Sequence, residues 1–425
     1  MKLVIKNARI INPDQQLQAD ILIQNGVIDK IGKISEKADK EIEAQGKIVF
    51  PGLIDMHTHI RTPGQEDRED LESASRAAAK GGFTSICCMP NTVPAVDNET
   101  TARWIYDQAR KIGLVDMYPV GAISKQRQGK ELSEFCALRR AGCLSLSDDG
   151  DSVKDPSLLR KALEYSRMSG LLLISHCEDK NLSGKGVMRE SSLSAQYGMT
   201  GIPSISESII VARDIELARY LNTPIHLAHI STVRSLELIH KAKQEGVQVT
   251  CETAPHYCVL SLKDVVENGF DSRYKVNPPL GEESDVAAVR QALQSGVIDC
   301  IATDHAPHLQ GEKELPFQEA PFGFIGLEWA FSLLYTFLVK EKIISLPLLV
   351  DKMSSVPARI LKLEDKGLIR EGNCADLVIA DPDRTWTVTE DTIASKSRNT
   401  PFIGYTLSCC IEYTIHRGKI SYKNV

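Results

Sequence analysis

Between residues 53 and 304, short apolar runs of β-forming residues recur eight times, and the gaps between them carry helical patterning. The runs are Leu53–His57, Thr84–Met89, Met117–Val120, Cys143–Ser147, Leu171–His176, Ile225–His229, Val247–Glu252 and Asp299–Asp304. Parallel strands need a crossover between each pair, usually a helix, so repeated strand–helix alternation points to a parallel sheet. Eight such units predict an α/β fold built on a (β/α)8 barrel. The alternative, a doubly wound open sheet, is disfavoured because no glycine-rich phosphate loop follows the first run.

The chain ends read differently. The first fifty residues alternate β-rich runs (Leu3–Ile5, Ala8–Ile11, Ile21–Gly26, Val27–Ile31) with turn signals, and Asn25-Gly26 between two of them is a hairpin signature. Ala375–Ala380 and Cys410–Ile420 have the same character. Neither end can bury a core alone. Residues 1–50 plus 365–425 are therefore expected to form one discontinuous β-sandwich domain beside a barrel of residues 51–364.

With 425 residues, 42% of them hydrophobic, the chain can bury one large core and one smaller one. A net charge of −6 without a Lys/Arg cluster argues against a broad nucleic-acid face. Met1–Asn7 carries no apolar stretch suited to a signal peptide, and no run approaches the roughly 20 residues of a membrane helix, so the cytoplasm is the expected location. Eleven scattered cysteines without a Cys-X-X-Cys argue against a disulfide framework and against a thiolate zinc site.

In a barrel, functional groups gather at the C-terminal ends of the strands. Here the first run ends in His57 and His59, the fourth in Asp148 and Asp149, the fifth in His176, the sixth in His229 and the eighth in Asp304. In His57-Thr58-His59 the imidazoles are one residue apart, so on a strand both point to one side and can grip one cation. His226, His240 and His416 are assigned to packing or surface, and His256 either to a loop or to the site lining. The polar segment Leu309–Glu319 reads as a solvated loop placed where it could act as a lid.

These residues resemble the class I dihydroorotases of the amidohydrolase superfamily, over essentially the whole chain. The matching stretches include Pro51–His59, Arg61 with Pro63-Gly64, Met89–Thr92, Ser147–Gly150, Ser175–Glu178, Ala228–Thr232, Glu252–Tyr257, Lys275–Leu280, Asp304–His308 and Ala320–Gly323. Thr62 departs from the family, which usually carries Glu there. The resemblance implies zinc, one ion or two with two expected. His57, His59 and Asp304 would hold one position and His176 and His229 the other, with Asp149 between them. Many superfamily members bridge their metals with a carbamylated lysine, but Cys143–Gly150 contains no Lys, which separates the chain from typical hydantoinases.

The implied reaction is the reversible interconversion of N-carbamoyl-L-aspartate and (S)-dihydroorotate in pyrimidine biosynthesis. Asp304 would be the catalytic acid/base. Arg61, with Asn91 and His308, would bind the substrate carboxylate, while Asn277 and the backbone at Phe322 and Gly323 would hold the ring. A homodimer and association with aspartate carbamoyltransferase are expected. The rival readings are a dihydropyrimidinase- or hydantoinase-type hydrolase and a dihydroorotase-like structural partner of a carbamoyltransferase.

Overall fold

The computed structural model describes residues 2–424. The chain opens with β1 (Lys2–Ile11), β2 (Gln16–Gln24), β3 (Val27–Gly32), β4 (Lys40–Glu43) and β5 (Ile48–Pro51). Gln24 pairs with Val27 across a two-residue turn in which Asn25 and Gly26 have φ of 55° and 84°, the left-handed pair that such hairpins require.

The barrel strands follow. They are β6 (Leu53–Thr58), β7 (Phe83–Cys88), β8 (Asp116–Pro119), β9 (Ser145–Leu146) and β10 (Leu172–Ser175) and, after a two-stranded ribbon of β11 (Met188–Arg189) and β12 (Gly201–Ile202), β13 (Ile225–Leu227), β14 (Val249–Thr253) and β15 (Cys300–Ile301). β6-β7-β8 and β9-β10-β13-β14-β15 are parallel ladders, and parallel bridges Gly121↔Leu146 and Thr58↔His305 join them into a ring. Strand neighbours divide between two cores. Leu173, Leu227 and Ile301 pack with helix residues such as Leu163, Val211 and Ile239, whereas Ile174, Ala228, Cys300 and Ala302 meet one another on the opposite face. Burial on both faces is why these strands read as continuous apolar runs.

The intervening helices carry their own signals. Glu99–Ile112 starts at Asn98, whose side chain accepts the Thr101 N–H, and stops at Gly113 with φ 69°. It buries Ala102, Ile105 and Ala109, a stripe at helical spacing. Enclosing Ile105 is worth about 1.5–3 kcal/mol.

β16 (Leu377–Thr387), β17 (Thr406–His416) and β18 (Lys419–Lys423) return to the chain start, giving one eight-stranded sheet in the order β18-β17-β16-β5-β1-β2-β3, with β4 beside β1. Its inward residues, Leu3, Ile5, Ile21, Ile23, Leu377, Ile379 and Ile415 among them, share a core of their own. The fold class is the expected one, a barrel with a β-domain drawn from both chain ends. Lys366 is buried between Asp116 on β8 and Asp376 beside β16, tying the two parts together, and Arg417 reaches the same Asp116 at 2.8 Å. One stretch assigned from sequence to the sheet domain leaves it: between β16 and β17, Phe402 packs on Phe324 and Trp329, and Asn399 bonds the chain at Ala306 and His308. Among the described residues no helix is long and apolar enough to cross a membrane.

Candidate metal centre

The barrel strands deliver their last residues to one rim, and six histidine and aspartate side chains from five of them converge there. His57 Nδ1 lies 2.9 Å from Glu252 Oε1, and His59 Nδ1 lies 2.8 Å from Asn91 Oδ1. An oxygen of this kind can only accept, so each ring donates its Nδ1–H and turns its Nε2 inward. His59 Nε2 stands 3.0 Å from Asp304 Oδ1 and 3.4 Å from Asp149 Oδ2. His57 Nε2 stands 3.5 Å from Asp304 Oδ1 and 3.3 Å from Asp149 Oδ1. On the other side of Asp149, His176 Nδ1 is 3.4 Å and His229 Nε2 3.7 Å from Oδ1, and these two nitrogens are 2.8 Å apart. His176 is turned by Glu178, whose Oε2 accepts its Nε2–H at 3.0 Å.

This donor set suits a divalent cation. Nitrogen and oxygen donors about 2.0–2.1 Å from a tetrahedral zinc lie about 3.3–3.4 Å apart, close to the spacings just given. His57, His59 and Asp304 place one donor atom each within 4.8 Å of one another, as do His57, Asp149 and His229. His57 Nε2 and Asp149 Oδ1 are buried, 3.3 Å apart, and neither has a hydrogen-bond partner. Two buried polar atoms left so are costly unless something binds between them.

The electrostatics agree. Burial alone would raise the Asp149 and Asp304 carboxyls, but the surrounding imidazoles hold Asp149 well below the usual range and bring Asp304 to about 2. Burial opposes charge on His176, yet Asp149 and Glu178 lift it to about 9, and Asp149 and Asp304 likewise raise His57. Imidazolium protons thus balance the carboxylates here, a role that a bound cation takes over by displacing them.

Asp148, the neighbour of Asp149, turns away and accepts from Ser124 N at 3.0 Å and Ser124 Oγ at 2.5 Å. Arg61, His229 and Asp304 have φ of 61°, 36° and 51°. Left-handed backbone at non-glycine residues costs about 1–3 kcal/mol each and survives only where the surroundings enforce it. Part of that enforcement is visible: Asp304 N bonds His57 O at 3.0 Å, and buried Asp55 accepts from both His57 N and Thr303 N.

Arg61 is buried beside the cluster, and its Nε donates to Pro307 O at 3.0 Å. Burial and the nearby Arg68 bring its pKa down to about 10, which leaves it cationic at neutral pH. Among the described residues no carboxylate lies within 4.0 Å of its guanidinium. His308 Nε2 lies 2.8 Å from Phe322 O, to which it donates; burial and the Arg61 charge keep this ring neutral. Gly323 has φ 111°, and a Cβ there would meet Ala306 Cβ at 2.6 Å, so only glycine brings the turn this close to His308. Asn277 donates from Nδ2 to Glu178 Oε2 at 3.0 Å. The twelve candidates thus gather around one rim, with Arg61, His308, Phe322 and Gly323 on one side and Asn277 near His176. His256 is buried against Tyr257 and Phe324, and burial pushes its pKa down to about 3.

Sequence reasoning missed the residues that aim the ligands. Glu252 is fully buried at the end of the seventh run, and its other oxygen accepts from His226 Nε2 at 3.2 Å, so His226 is more than packing. The rule that selected Asp304, a carboxylate closing an apolar run, also selects Glu252. Glu252→Gln is expected to weaken divalent-metal affinity about 10- to 100-fold with little change in melting temperature. Chelator competition reads this directly, and an unaltered affinity would remove Glu252 from the site.

Two family models match the chain: one described as dihydro-orotase-like over residues 46–235, and one described as amidohydrolase family over residues 212–422. Dihydroorotase from Geobacter metallireducens is 47% identical over 100% of both chains, and that from Acetivibrio thermocellus 46% identical over 98% of each. Among solved structures, an L-hydantoinase (dihydropyrimidinase) from Arthrobacter aurescens superposes with a TM-score of 0.88 at 26% identity, covering 98% of this chain and 95% of the other. A dihydropyrimidinase from Brevibacillus agri gives 0.88 at 25% identity, covering 100% and 95%.

Proposed function

The chain belongs to the dihydroorotase family of amidohydrolases, and from that premise we propose that it closes N-carbamoyl-L-aspartate to (S)-dihydroorotate, and reopens it, at a pair of zinc ions. The chain is a cyclic-amide hydrolase of pyrimidine biosynthesis with His/Asp clusters able to hold metal. The observation that carries the finer reading is Arg61, a buried cation without a carboxylate partner beside an imidazole–carboxylate cluster. Such a guanidinium is a bidentate receptor for a ligand carboxylate, which dihydroorotate has and an unsubstituted hydantoin or dihydrouracil lacks.

In this reading His57, His59 and Asp304 would hold one zinc and His176 and His229 the other, with Asp149 between the two sets. Bound zinc supplies Lewis acidity toward the ring carbonyl and acidifies a water. Asp304, ionised above a pKa of about 2, takes the proton of the attacking water and passes it to the departing ring nitrogen. Arg61 takes the substrate carboxylate, flanked by Asn91 and His308. Asn277, with Nδ2 committed to Glu178, offers its Oδ1 to the ring. The Gly323 N–H and C=O are already used to hold the turn, which leaves the Phe322 N–H for the substrate. A homodimer, association with aspartate carbamoyltransferase and a cytoplasmic location complete the proposal.

The test is turnover by the purified, zinc-loaded chain of dihydroorotate, hydantoin and dihydrouracil in parallel. Selective hydrolysis of dihydroorotate is expected, and Arg61→Met should lower kcat/KM for it about 10- to 100-fold, the worth of a charge-assisted contact. Comparable turnover of the uncharged rings would overturn the assignment in favour of a hydantoinase-type activity.

Metal uptake should also depend on pH with a definite sign. The His176 ring, protonated below about 9 in the metal-free site, must be neutral to bind a cation. Each proton displaced makes apparent zinc affinity rise about tenfold per pH unit, so affinity is expected to climb from pH 6 to 9. Chelator titrations at stepped pH measure the slope, and a flat profile would contradict this charge state.

A further inference from the structure

Two lysines lie behind the Phe322–Gly323 turn, 3% and 7% exposed: Lys275 and Lys313. Buried ammonium groups ordinarily pair with carboxylates, yet among the described residues neither has one within 4.0 Å. Their hydrogen bonds go instead to the main chain of one short stretch. Lys275 Nζ donates to Ala320 O at 2.7 Å and Gln318 O at 3.1 Å, and Lys313 Nζ to Pro321 O at 2.8 Å and Gly323 O at 3.0 Å. Lys275 Nζ also sits 4.6 Å from the centre of the Phe322 ring, and the Lys275 carbonyl accepts the Gly323 N–H at 2.8 Å. Lys313 is anchored in its turn, since its carbonyl accepts from Ser272 Oγ.

The charges around the pair do not make it an ordinary ion-pair network. The acidic groups facing Lys313 are Asp271, bonded by Arg273, and Glu312, bonded by Arg68, and its other neighbour is Lys275 itself. Burial brings Lys275 to about 8, and burial with the Lys275 charge brings Lys313 to about 7. A methionine at either place would fill similar volume without the desolvation cost. What it would lack is the set of donors reaching carbonyls 318, 320, 321 and 323. The segment Leu309–Glu319, expected from its polarity to be a solvated loop or lid, is therefore held from inside, with Lys313 and Phe317 buried.

We propose that Lys275 and Lys313 are positioning residues that set the Phe322–Gly323 turn against the substrate ring and, through the His308 bond to Phe322 O, hold His308 beside the substrate carboxylate. The inference rests on the reading of that turn as the ring-binding edge given above.

The test uses the zinc-loaded full chain and its Lys313→Met and Lys275→Met variants, with zinc content and melting temperature recorded for each. KM for dihydroorotate is expected to rise about tenfold while kcat stays within about threefold, and amide exchange across residues 317–324 to accelerate while the barrel strands stay protected. If one variant does not fold, the other carries the test, because each lysine holds a different pair of carbonyls. Unchanged KM with unchanged exchange overturns the proposal. So does exchange that accelerates throughout the barrel with KM unaltered, which would assign the lysines to stability alone. If the wild-type chain does not turn over dihydroorotate, the proposed function fails separately, and local exchange in the variants still decides whether the pair sets the turn.

Discussion

Asp304→Asn is expected to lower kcat for dihydroorotate hydrolysis about 100- to 10,000-fold, the usual worth of a placed acid/base, with the barrel intact. The substitution is selective for physical reasons. Asp304 has φ 51°, and asparagine tolerates left-handed backbone better than most residues, so the main chain keeps its bond to His57 O. The amide oxygen can still face His59 Nε2, now 3.0 Å from the carboxylate, and so can still contribute to a zinc position. What is lost is a group that is anionic across the working range, because its imidazole neighbours bring its pKa to about 2, and that can receive a proton and give it back. Steady-state rates at saturating zinc separate the two roles. A deficit that disappears with added zinc would leave Asp304 a ligand only, and activity within about tenfold of wild type at all zinc concentrations would sink the acid/base assignment.

The parts of this architecture legible in the sequence are those set by local patterning. Strands buried on both faces need unbroken apolar runs, so all eight barrel strands could be located. Their lengths could not: Cys143–Ser147 yields only Ser145–Leu146, and Asp299–Asp304 only Cys300–Ile301. The chain leaves the ladder early at these points, where the following residues aim Asp149 and Asp304 at the centre. The Asn25-Gly26 hairpin was readable because its turn chemistry is local.

Orientation beyond the metal-facing atoms was not readable. Glu178 acts on the cluster through its contact with His176, and nothing in its spacing announces it, whereas Glu252 closes an apolar run as Asp304 does but shows only in the fold that it holds His57 and His226. Asn399 reaches Ala306 and His308 from a segment nearly one hundred residues later in the chain, beyond any periodicity. Lys313 falls in a segment whose polarity reads as solvated, because a lysine that spends its donors on carbonyls has no partner residue type to betray its burial. Thr62, the one departure from the family pattern, is buried with its hydroxyl unpartnered, and nothing in the structure explains the exchange.

Asp149→Ala is expected to reduce bound zinc from two ions per chain to one or fewer and to lower kcat at least about 100-fold. Of the two aspartates at the centre, Asp149 is the one whose oxygens lie within 4.0 Å of His57, His59, His176 and His229 together. Without it, His176 Nδ1 and His229 Nε2, the nitrogens that face the centre, keep only each other at 2.8 Å. Two imidazole nitrogens at that distance share one proton between them more readily than they hold a dication without an anionic partner. His57, His59 and Asp304 remain as a three-donor set, which is why one position should survive at high zinc. The Asp149 charge also sustains the raised pKa of His176, so in the variant the pH dependence of metal uptake should weaken along with the stoichiometry. Metal counting after dialysis, with zinc titrations at pH 6 and 9, measures both. Two zinc ions per chain after dialysis would sink the assignment of Asp149 as the shared ligand. Loss of both ions would show that the first position, too, depends on its negative charge.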